Sequence, residues 1–310
     1  MWFLYAKLHY FFSFHSCKKV NTYLCGKKNL YRRMKSMFFV PVGGLGNRMR
    51  AVASAVSLSG KLGMSVHIGW FRDWALNAHF SSLFETPDIP GVKFSDVPGI
   101  LYWALDRPRK KNLFIPRMFQ SLMFGQCIYE NEVGNMFKQK SDILSFVRNT
   151  KGYVYMASYH PFFEYDMELF NRLFQPKQSV GLEIARRCEN FSEYTIGVHV
   201  RRTDNVLSIN ESPLELFYKN VDSELKDHPD AMIYLATDSE DVKKGFQERY
   251  GNKLITSGSE ADRGSVEGIK DGIIDLYSLS RTSKIYGSYA SSFSELASEM
   301  TGVPLVIVRK

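Results

Sequence analysis

Two adjacent arginines, Arg201 and Arg202, follow the apolar stretch Thr195–Val200, which has the pattern of a buried strand. His199 precedes Arg201 by two positions, so these two side chains share one face of the strand and Arg202 points to the other. A guanidinium carries several donors in a planar fork, and this geometry suits a diphosphate. Ion pairs with Asp204 or another carboxylate would also satisfy the arginines, so both interpretations stay open.

Asp275 lies inside the apolar helical stretch 268–279. A carboxylate buried there requires a partner, because an unpaired charge is costly to bury. Guanine offers adjacent ring N–H and amino donors that fit a carboxylate, whereas adenine does not. The alternative is a solvent-facing position, because the residues next to Asp275 in sequence do not share its helix face.

Asp238 follows the predicted strand 232–236 and stands three residues before Asp241. This spacing is that of a capping box, which favours a structural role at a helix start over metal binding. The sequence contains no GxxxxGK[ST], HExxH or GxSxG motif. Phosphate-loop, zinc-protease and nucleophile-elbow chemistry are therefore not indicated.

Glycines and serines mark two further turns that could contact phosphate. Residues 43–47 read Gly-Gly-Leu-Gly-Asn between a predicted strand and helix, and residues 291–292 are serines at a predicted helix start. Glycine allows the backbone to approach a ligand, and a helix N-terminus favours an anion. Each signal is weak alone, because serine is a common N-cap and Met49 replaces the third glycine of the dinucleotide fingerprint.

The charge distribution disfavours a nucleic-acid partner. The net charge is +8, but residues 1–36 hold eight basic residues and no acidic one, which leaves 32 basic against 32 acidic residues in the remainder. A phosphate backbone needs a surplus of Lys and Arg. The leader 1–36 is also aromatic, and we expect a disordered extension, an upstream start codon, or a segment resting on anionic lipid.

The cysteines and the leader together give an expected location. Four cysteines without metal-ligand spacing indicate free thiols in a reducing compartment. No stretch of the leader approaches the ~18 apolar residues needed to span a bilayer. We expect a cytoplasmic protein with peripheral contact at the inner face of the membrane through the leader.

The predicted elements alternate as in an α/β protein with parallel sheets. In the first half, strands are predicted at 37–42, 65–70 and 153–156, with helices at 49–62 and 164–174, no regular topology over 71–151, and a linker at 175–177. In the second half, strands are predicted at 195–200, 232–236, 253–256, 284–286 and 303–307, separated by helices. The chain length fits two domains of roughly 150 residues with a cleft between them.

Five segments in order resemble one known superfamily: GGLGN at 43–47, HVRRTD at 199–204, YLATD at 234–238, IIDLY at 273–277 and SSF at 291–293. It is the superfamily of α1,2-, α1,6- and protein O-fucosyltransferases, which includes the rhizobial nodulation fucosyltransferases. The resemblance implies an α/β fold of GT-B type with two Rossmann-like domains, an acceptor-side domain over 37–175 and a GDP-sugar-binding domain over 176–310.

The resemblance also implies residue roles. Arg201 would contact the β-phosphate and stabilise the leaving GDP, with His199 and Asp275 on guanine and the SSF segment near the diphosphate. Glu211 is the candidate catalytic base, although its distance from the HVRRTD segment differs from that of the Glu in the α1,6 enzymes. Arg48 stands after GGLGN, where many relatives have Gln. The residues expected to bind the donor are Gly44, Asn47, His199, Arg202, Asp204, Asp238, Asp275, Ser291, Ser292 and Phe293.

The implied reaction is transfer of fucose from GDP-fucose to a hydroxyl of a glycan acceptor, with inversion and without a metal or other cofactor. A bacterial surface polysaccharide is the expected acceptor. The expected partners are thus a sugar nucleotide and a glycan, and no nucleic acid. Two alternatives remain: a non-catalytic protein that binds a GDP-sugar, and a transferase that uses another GDP-sugar.

Overall fold

The computed structural model describes residues 35–150, 152–203, 205–258, 262 and 264–310. Across these residues the strands form two five-stranded sheets, and all the strand pairings in both sheets are parallel. Parallel sheets carry helices on both faces, which explains the nearly continuous apolar sequence of their central strands. The predicted α/β class with two Rossmann-like units is confirmed.

The first sheet has the strand order β3-β2-β1-β5-β4. Its strands are β1 (Ser36–Pro41), β2 (Ser65–Trp70), β3 (Val92–Asp96), β4 (Gln126–Ile128) and β5 (Val154–Ser158). The strand order reverses between β1 and β5, and such a switch point opens a crevice at the carboxyl ends of the strands. The glycine turn at 43–44 lies directly after β1, at that point.

The second sheet has the strand order β10-β9-β6-β7-β8. Its strands are β6 (Thr195–Val200), β7 (Met232–Thr237), β8 (Leu254–Thr256), β9 (Lys284–Ser288) and β10 (Leu305–Val308). Here the order reverses between β6 and β9. The segments that follow these two strands contain the two arginines and the two serines singled out in the sequence.

Helices connect the strands of both sheets. They are α1 (Leu45–Leu62), α2 (Phe80–Leu83), α3 (Tyr102–Leu105), α4 (Ile115–Met123), α5 (Glu130–Lys138), α6 (Ile143–Asn149), α7 (Met167–Leu173), α8 (Gln178–Cys188), α9 (Val206–Glu211), α10 (Leu214–Asp227), α11 (Glu240–Tyr250), α12 (Val266–Leu279) and α13 (Ser292–Thr301). Within the described ranges, no helix is long and apolar enough to cross a bilayer.

Contacts made by helices join the two sheet units. Arg50 on α1 forms ion pairs with Glu295 at 3.3 Å and Glu299 at 2.7 Å, both on α13. The hydroxyl of Tyr277 on α12 donates to the carbonyl of Phe174 after α7. The two ion pairs hold α1 beside α13, and the bond of Tyr277 holds α12 against the end of the first unit.

Three sequence expectations about elements need correction. Helix α1 begins at Leu45 rather than at residue 49, so three of the five residues of the 43–47 motif are already helical. The stretch 71–151 contains β3, β4 and short helices, although no regular topology was predicted there. Helix α8 follows the expected linker 175–177 directly and was not predicted. The division into domains at 175 and 176 stays a prediction.

The expectations about the leader fall almost wholly on undescribed residues. Of residues 1–36, only 35 and 36 are described, and Cys17 and Cys25 also lie outside the described ranges. Cys127 and Cys188 are free thiols.

Candidate functional site

His199 lies on β6 beside the switch point of the second sheet, with its side chain buried. Its ring stacks on the ring of Phe293 with centroids 4.8 Å apart, and no described residue hydrogen-bonds its Nδ1. Burial, and then the charge of Arg201, lower the pKa of His199 to about 3. The imidazole is therefore neutral at pH 7, and its buried Nδ1 is available to a ligand.

Asp238, just after β7, holds the loop that follows β6. Its Oδ1 accepts the backbone N–H of Arg202 at 2.7 Å, and its Oδ2 accepts the hydroxyl of Thr203 at 2.7 Å. The Nε of Arg201 lies 3.3 Å from the same Oδ2. The predicted capping role of Asp238 is wrong, because Ser239 is the N-cap of α11 and accepts from the N–H of Val242. Asp238 instead fixes the backbone that presents Arg201.

The two arginines have different surroundings. The backbone N–H of Arg201 donates to the hydroxyl of Ser288 at 3.0 Å, which ties it to the end of β9. Arg202 donates through its guanidinium to the carbonyls of Arg201 at 2.9 Å and Ser212 at 2.6 Å. Burial lowers the pKa of Arg202. These contacts give Arg202 a bracing role in the loop, and Asp204 lies outside the described residues.

The N-termini of α1 and α13 lie against each other. A Cβ placed on Gly46, in the first turn of α1, would lie 4.0 Å from Oγ of Ser292, in the first turn of α13. Gly44 and Ser291 are the N-cap residues, and neither makes a side-chain capping bond. First-turn N–H groups and the positive ends of two helix dipoles thus converge at the interface, where they favour an anion.

Asn47 covers the glycine turn. Gly43 has φ of 89°, a left-handed conformation that glycine adopts readily. A Cβ on Gly43 would lie 3.4 Å from Nδ2 of Asn47 and 3.8 Å from the Cβ of Tyr159, so the turn is enclosed from two sides. The position agrees with the predicted approach of Gly44 and Asn47 to a ligand from the first unit, and a ligand contact itself stays a prediction.

Arg48 is a residue whose role the sequence did not reveal. Its fully buried guanidinium donates to the carbonyl of Gly43 at 2.7 Å, to Asp73 at 2.8 Å and to the carbonyl of Phe71. It also lies over the ring of Trp70, 5.3 Å from the centroid. Burial lowers the pKa of Arg48 to about 10, so it remains charged at pH 7. Arg48 therefore anchors the glycine turn from inside the first unit.

Asp275 is paired with a cation from α8. Its Oδ1 accepts from Arg187 at 2.6 Å and from the hydroxyl of Tyr234 at 2.7 Å, and Arg187 also donates to Asp271. Burial raises the pKa of Asp275 to about 6, against an opposing effect of Arg187. Tyr234 and His199 face the same side of the sheet, since their positions on β7 and β6 are offset by two in the register. The predicted contact of Asp275 with guanine is untested.

Glu211 ends α9, and its backbone carbonyl accepts the N–H of Lys310 at 2.9 Å. This bond places it beside the end of β10, the edge strand of the second sheet. Its role as a base stays a prediction. The described part of the chain has no group of three or more His, Cys, Asp or Glu side chains that could hold a metal ion.

No protein-family model and no curated protein matches the chain in sequence. Solved structures do match it in fold. NodZ α-1,6-fucosyltransferase soaked with GDP-fucose matches with a TM-score of 0.59 and 18% identity, over 86% of this chain and 92% of its own. A mutant of Arabidopsis thaliana FUT1 in complex with GDP matches with a TM-score of 0.58 and 12% identity, over 98% of this chain and 74% of its own.

A third similar structure is POFUT1 in complex with GDP, with a TM-score of 0.55 and 10% identity, over 88% of this chain and 98% of its own. At these identities the likeness shows the fold, and it confirms the predicted GT-B-like arrangement of two Rossmann-like domains. The three reported structures belong to the fucosyltransferase superfamily that the five sequence segments resemble.

Proposed function

We propose that the chain is a glycosyltransferase that moves fucose from GDP-fucose to a hydroxyl of a glycan acceptor. The observation that carries the proposal is the convergence of the two helix N-termini at one end of the unit interface, in a fold that places Arg201 at the neighbouring switch point. The three similar structures reported above are of fucosyltransferases, one soaked with GDP-fucose and two in complex with GDP.

The proposed chemistry is a single displacement at the anomeric carbon, with inversion. The bond from that carbon to the β-phosphate oxygen breaks as the acceptor oxygen bonds to the carbon, and the bonding pair leaves with GDP. Arg201 and the N–H groups of α1 and α13 stabilise the charge that grows on the leaving diphosphate. Preorganised donors of this kind give large rate effects in a site that excludes water.

Base recognition is assigned to the face of the second sheet that carries His199. The neutral imidazole stacks on Phe293 and presents Nδ1, and Asp275 lies on the same face with its carboxylate oriented by Tyr234 and Arg187. A carboxylate that accepts two N–H donors selects guanine over adenine. Asp238 and Arg202 support the site by holding the loop of Arg201.

Proton transfer needs an acceptor for the hydroxyl proton, and Glu211 is the candidate base in the proposal. A divalent metal is not required in this scheme, because Arg201 and the two helix N-termini supply positive charge at the diphosphate. We assign the acceptor side to the first unit, 37–175, and the donor side to 176–310. A bacterial surface polysaccharide is the proposed acceptor, at the cytoplasmic face of the membrane.

A donor screen tests the proposal. Release of GDP or UDP is measured with GDP-fucose, GDP-mannose and UDP-glucose, each with and without glycan acceptors. GDP-fucose should give the fastest turnover, and acceptor should raise it. Faster turnover of GDP-mannose would indicate another donor. Tight GDP binding without turnover of any donor would indicate a binding protein.

A further inference from the structure

An apolar stripe is exposed along α4 and the turn before it. Leu113, Phe114, Met118 and Leu122 are 77%, 49%, 60% and 81% exposed, and we call these four residues the α4 face. Phe114, Met118 and Leu122 are spaced by four positions, so they line one side of the helix. Scattered exposed apolar residues are ordinary, whereas a contiguous stripe of large ones marks an interaction surface.

The backbone holds part of this face in an unusual conformation. Leu113 and Phe114 have φ of 50° and 56°, in the left-handed region that bulky residues rarely adopt. The N–H of Phe114 donates to the carbonyl of Arg109 at 3.2 Å, and the carbonyl of Phe114 accepts from the N–H of Arg117 at 3.1 Å. The turn is thus fixed with both apolar side chains exposed.

Basic residues adjoin the α4 face in the sequence. Between Asp106 and Glu130 the sequence has five basic residues and no acidic one. Arg107 and Arg109 pair with the carboxylates of Glu130 and Asp106 at the two ends of this stretch. The other three, Lys110, Lys111 and Arg117, are exposed. Positive charge is therefore concentrated next to the apolar stripe.

We propose that the α4 face binds an anionic phospholipid membrane. Its apolar side chains would enter the boundary between headgroups and acyl chains, while Lys110, Lys111 and Arg117 contact the anionic headgroups. The segment between Asp106 and Glu130 is basic and apolar and contains no acidic residue, so it complements such a membrane in both charge and polarity. The proposal does not depend on the chemistry of the cleft.

The leader supplies a second signal in the same chain. Its eight basic residues and its aromatic residues have the composition of a membrane-surface segment. Two membrane contacts in one chain bind more tightly than either alone, because the second contact forms within a chain that is already bound. Contact through the leader would therefore add to binding by the α4 face.

The test measures co-sedimentation of the full chain with vesicles. One set contains phosphatidylcholine alone, and the other contains about one-third phosphatidylglycerol, an anionic lipid. The double variant Met118→Asp/Leu122→Asp removes the apolar contact, and Lys110→Glu/Lys111→Glu reverses the charge. Leu182→Asp is the matched control, because Leu182 is 65% exposed on α8, a helix of the other unit.

The wild-type chain should bind the anionic vesicles, and should bind phosphatidylcholine weakly. Lys110→Glu/Lys111→Glu should lower the vesicle partition coefficient about thirtyfold, because each basic residue near an anionic surface contributes about fivefold to binding. Met118→Asp/Leu122→Asp should lower it at least about tenfold, because two large apolar side chains no longer enter the boundary region. Leu182→Asp should bind as the wild type does. Circular dichroism and GDP affinity check that the variants are folded. If the apolar variant unfolds, the charge-reversal variant still tests the proposal.

Two results would overturn it. Equal vesicle binding by the wild type and both double variants would assign membrane contact to the leader alone. A dimer that Leu122→Asp converts to a monomer, in a chain that does not bind anionic vesicles, would make the α4 face an interface between copies of this chain.

Discussion

The Nε of Arg201 lies 3.3 Å from Oδ2 of Asp238, across the carboxyl ends of two hydrogen-bonded parallel strands. The same carboxylate accepts the backbone N–H of Arg202, so it fixes both the loop and the guanidinium. We infer that Asp238 acts on a bound donor by orienting Arg201. The arginine that is proposed to hold the leaving group is thus positioned before the ligand arrives.

Replacing Arg201 with Ala should lower kcat about a hundredfold, because one preorganised donor to the leaving group is lost. Arg201→Lys should recover part of the activity, since it keeps the charge and loses the planar fork. Arg249→Ala is the control, because Arg249 forms an exposed ion pair with Asp222 on α10. Near-normal turnover by a folded Arg201→Ala protein would contradict the assignment.

Arg48→Gln should destabilise the fold by about 3 kcal/mol, because it breaks a buried ion pair with Asp73. It should also raise the GDP dissociation constant, since the Gly43 carbonyl loses its donor. Thermal unfolding and calorimetry measure the two effects. Arg72→Gln is the control, because Arg72 is exposed and adjoins Asp73 in the sequence. It should change the free energy of unfolding by no more than about 0.5 kcal/mol. Unchanged stability and affinity in Arg48→Gln would show that the turn does not need its anchor.

Asp275 gives a prediction about pH. Folding raises the pKa of Asp275 from 3.8 to about 6, so the protonated carboxyl is favoured in the folded state. Its contribution to folding stability is therefore lost as the pH rises from 3.8 through about 6. If the ionised carboxylate binds guanine, GDP affinity should rise as pH increases through about 6. Asp275→Asn should remove this component and weaken GDP binding about tenfold.

GDP is titrated calorimetrically into the wild-type protein and into Asp275→Asn at pH values on both sides of about 6. The phosphates of GDP titrate equally in the two experiments, so the difference between the two curves isolates Asp275. Identical curves would leave Asp275 as a partner of Arg187 only.

Excess EDTA should leave turnover nearly unchanged, because Arg201 and the N-termini of α1 and α13 supply the positive charge at the diphosphate. Turnover is measured before and after chelation and after readdition of Mg²⁺ or Mn²⁺. Loss of most activity to EDTA, with recovery on adding either ion, would show that a metal supplies that charge instead.

The sequence predicted the central strands well. Thr195–Val200 and Ser65–Trp70 have the predicted bounds, because strands buried on both faces are continuous apolar runs. The edge strand Val92–Asp96 was missed, since it is only half-buried and includes Lys93, Ser95 and Asp96. The three-residue strand Gln126–Ile128 was also missed, because only Ile128 is buried and Gln126 is polar. The equally short Leu254–Thr256 was predicted, because it lies within a regular alternation of strands and helices.

The site was predictable only where local spacing decides geometry. Alternation along one strand predicts that His199 and Arg201 share a face, and this stays a prediction because the strand ends at Val200. The pairing of Arg187 with Asp275, 88 positions apart, has no local signal, and neither does the burial of Arg48 against Asp73. The spacing of Asp238 and Asp241 was misleading, because the adjacent Ser239 is also a good N-cap and takes that role.

Calorimetric titration with GDP, ADP and UDP tests most directly the claim that the cleft holds the nucleotide of a GDP-sugar. GDP should bind with a dissociation constant of about micromolar size, and ADP and UDP at least tenfold more weakly, a difference of about 1.4 kcal/mol. This selectivity is expected because guanine alone presents the donor pair assigned to Asp275, while the diphosphate is common to all three. Equal affinities for GDP, ADP and UDP, or no binding of GDP, would contradict the account.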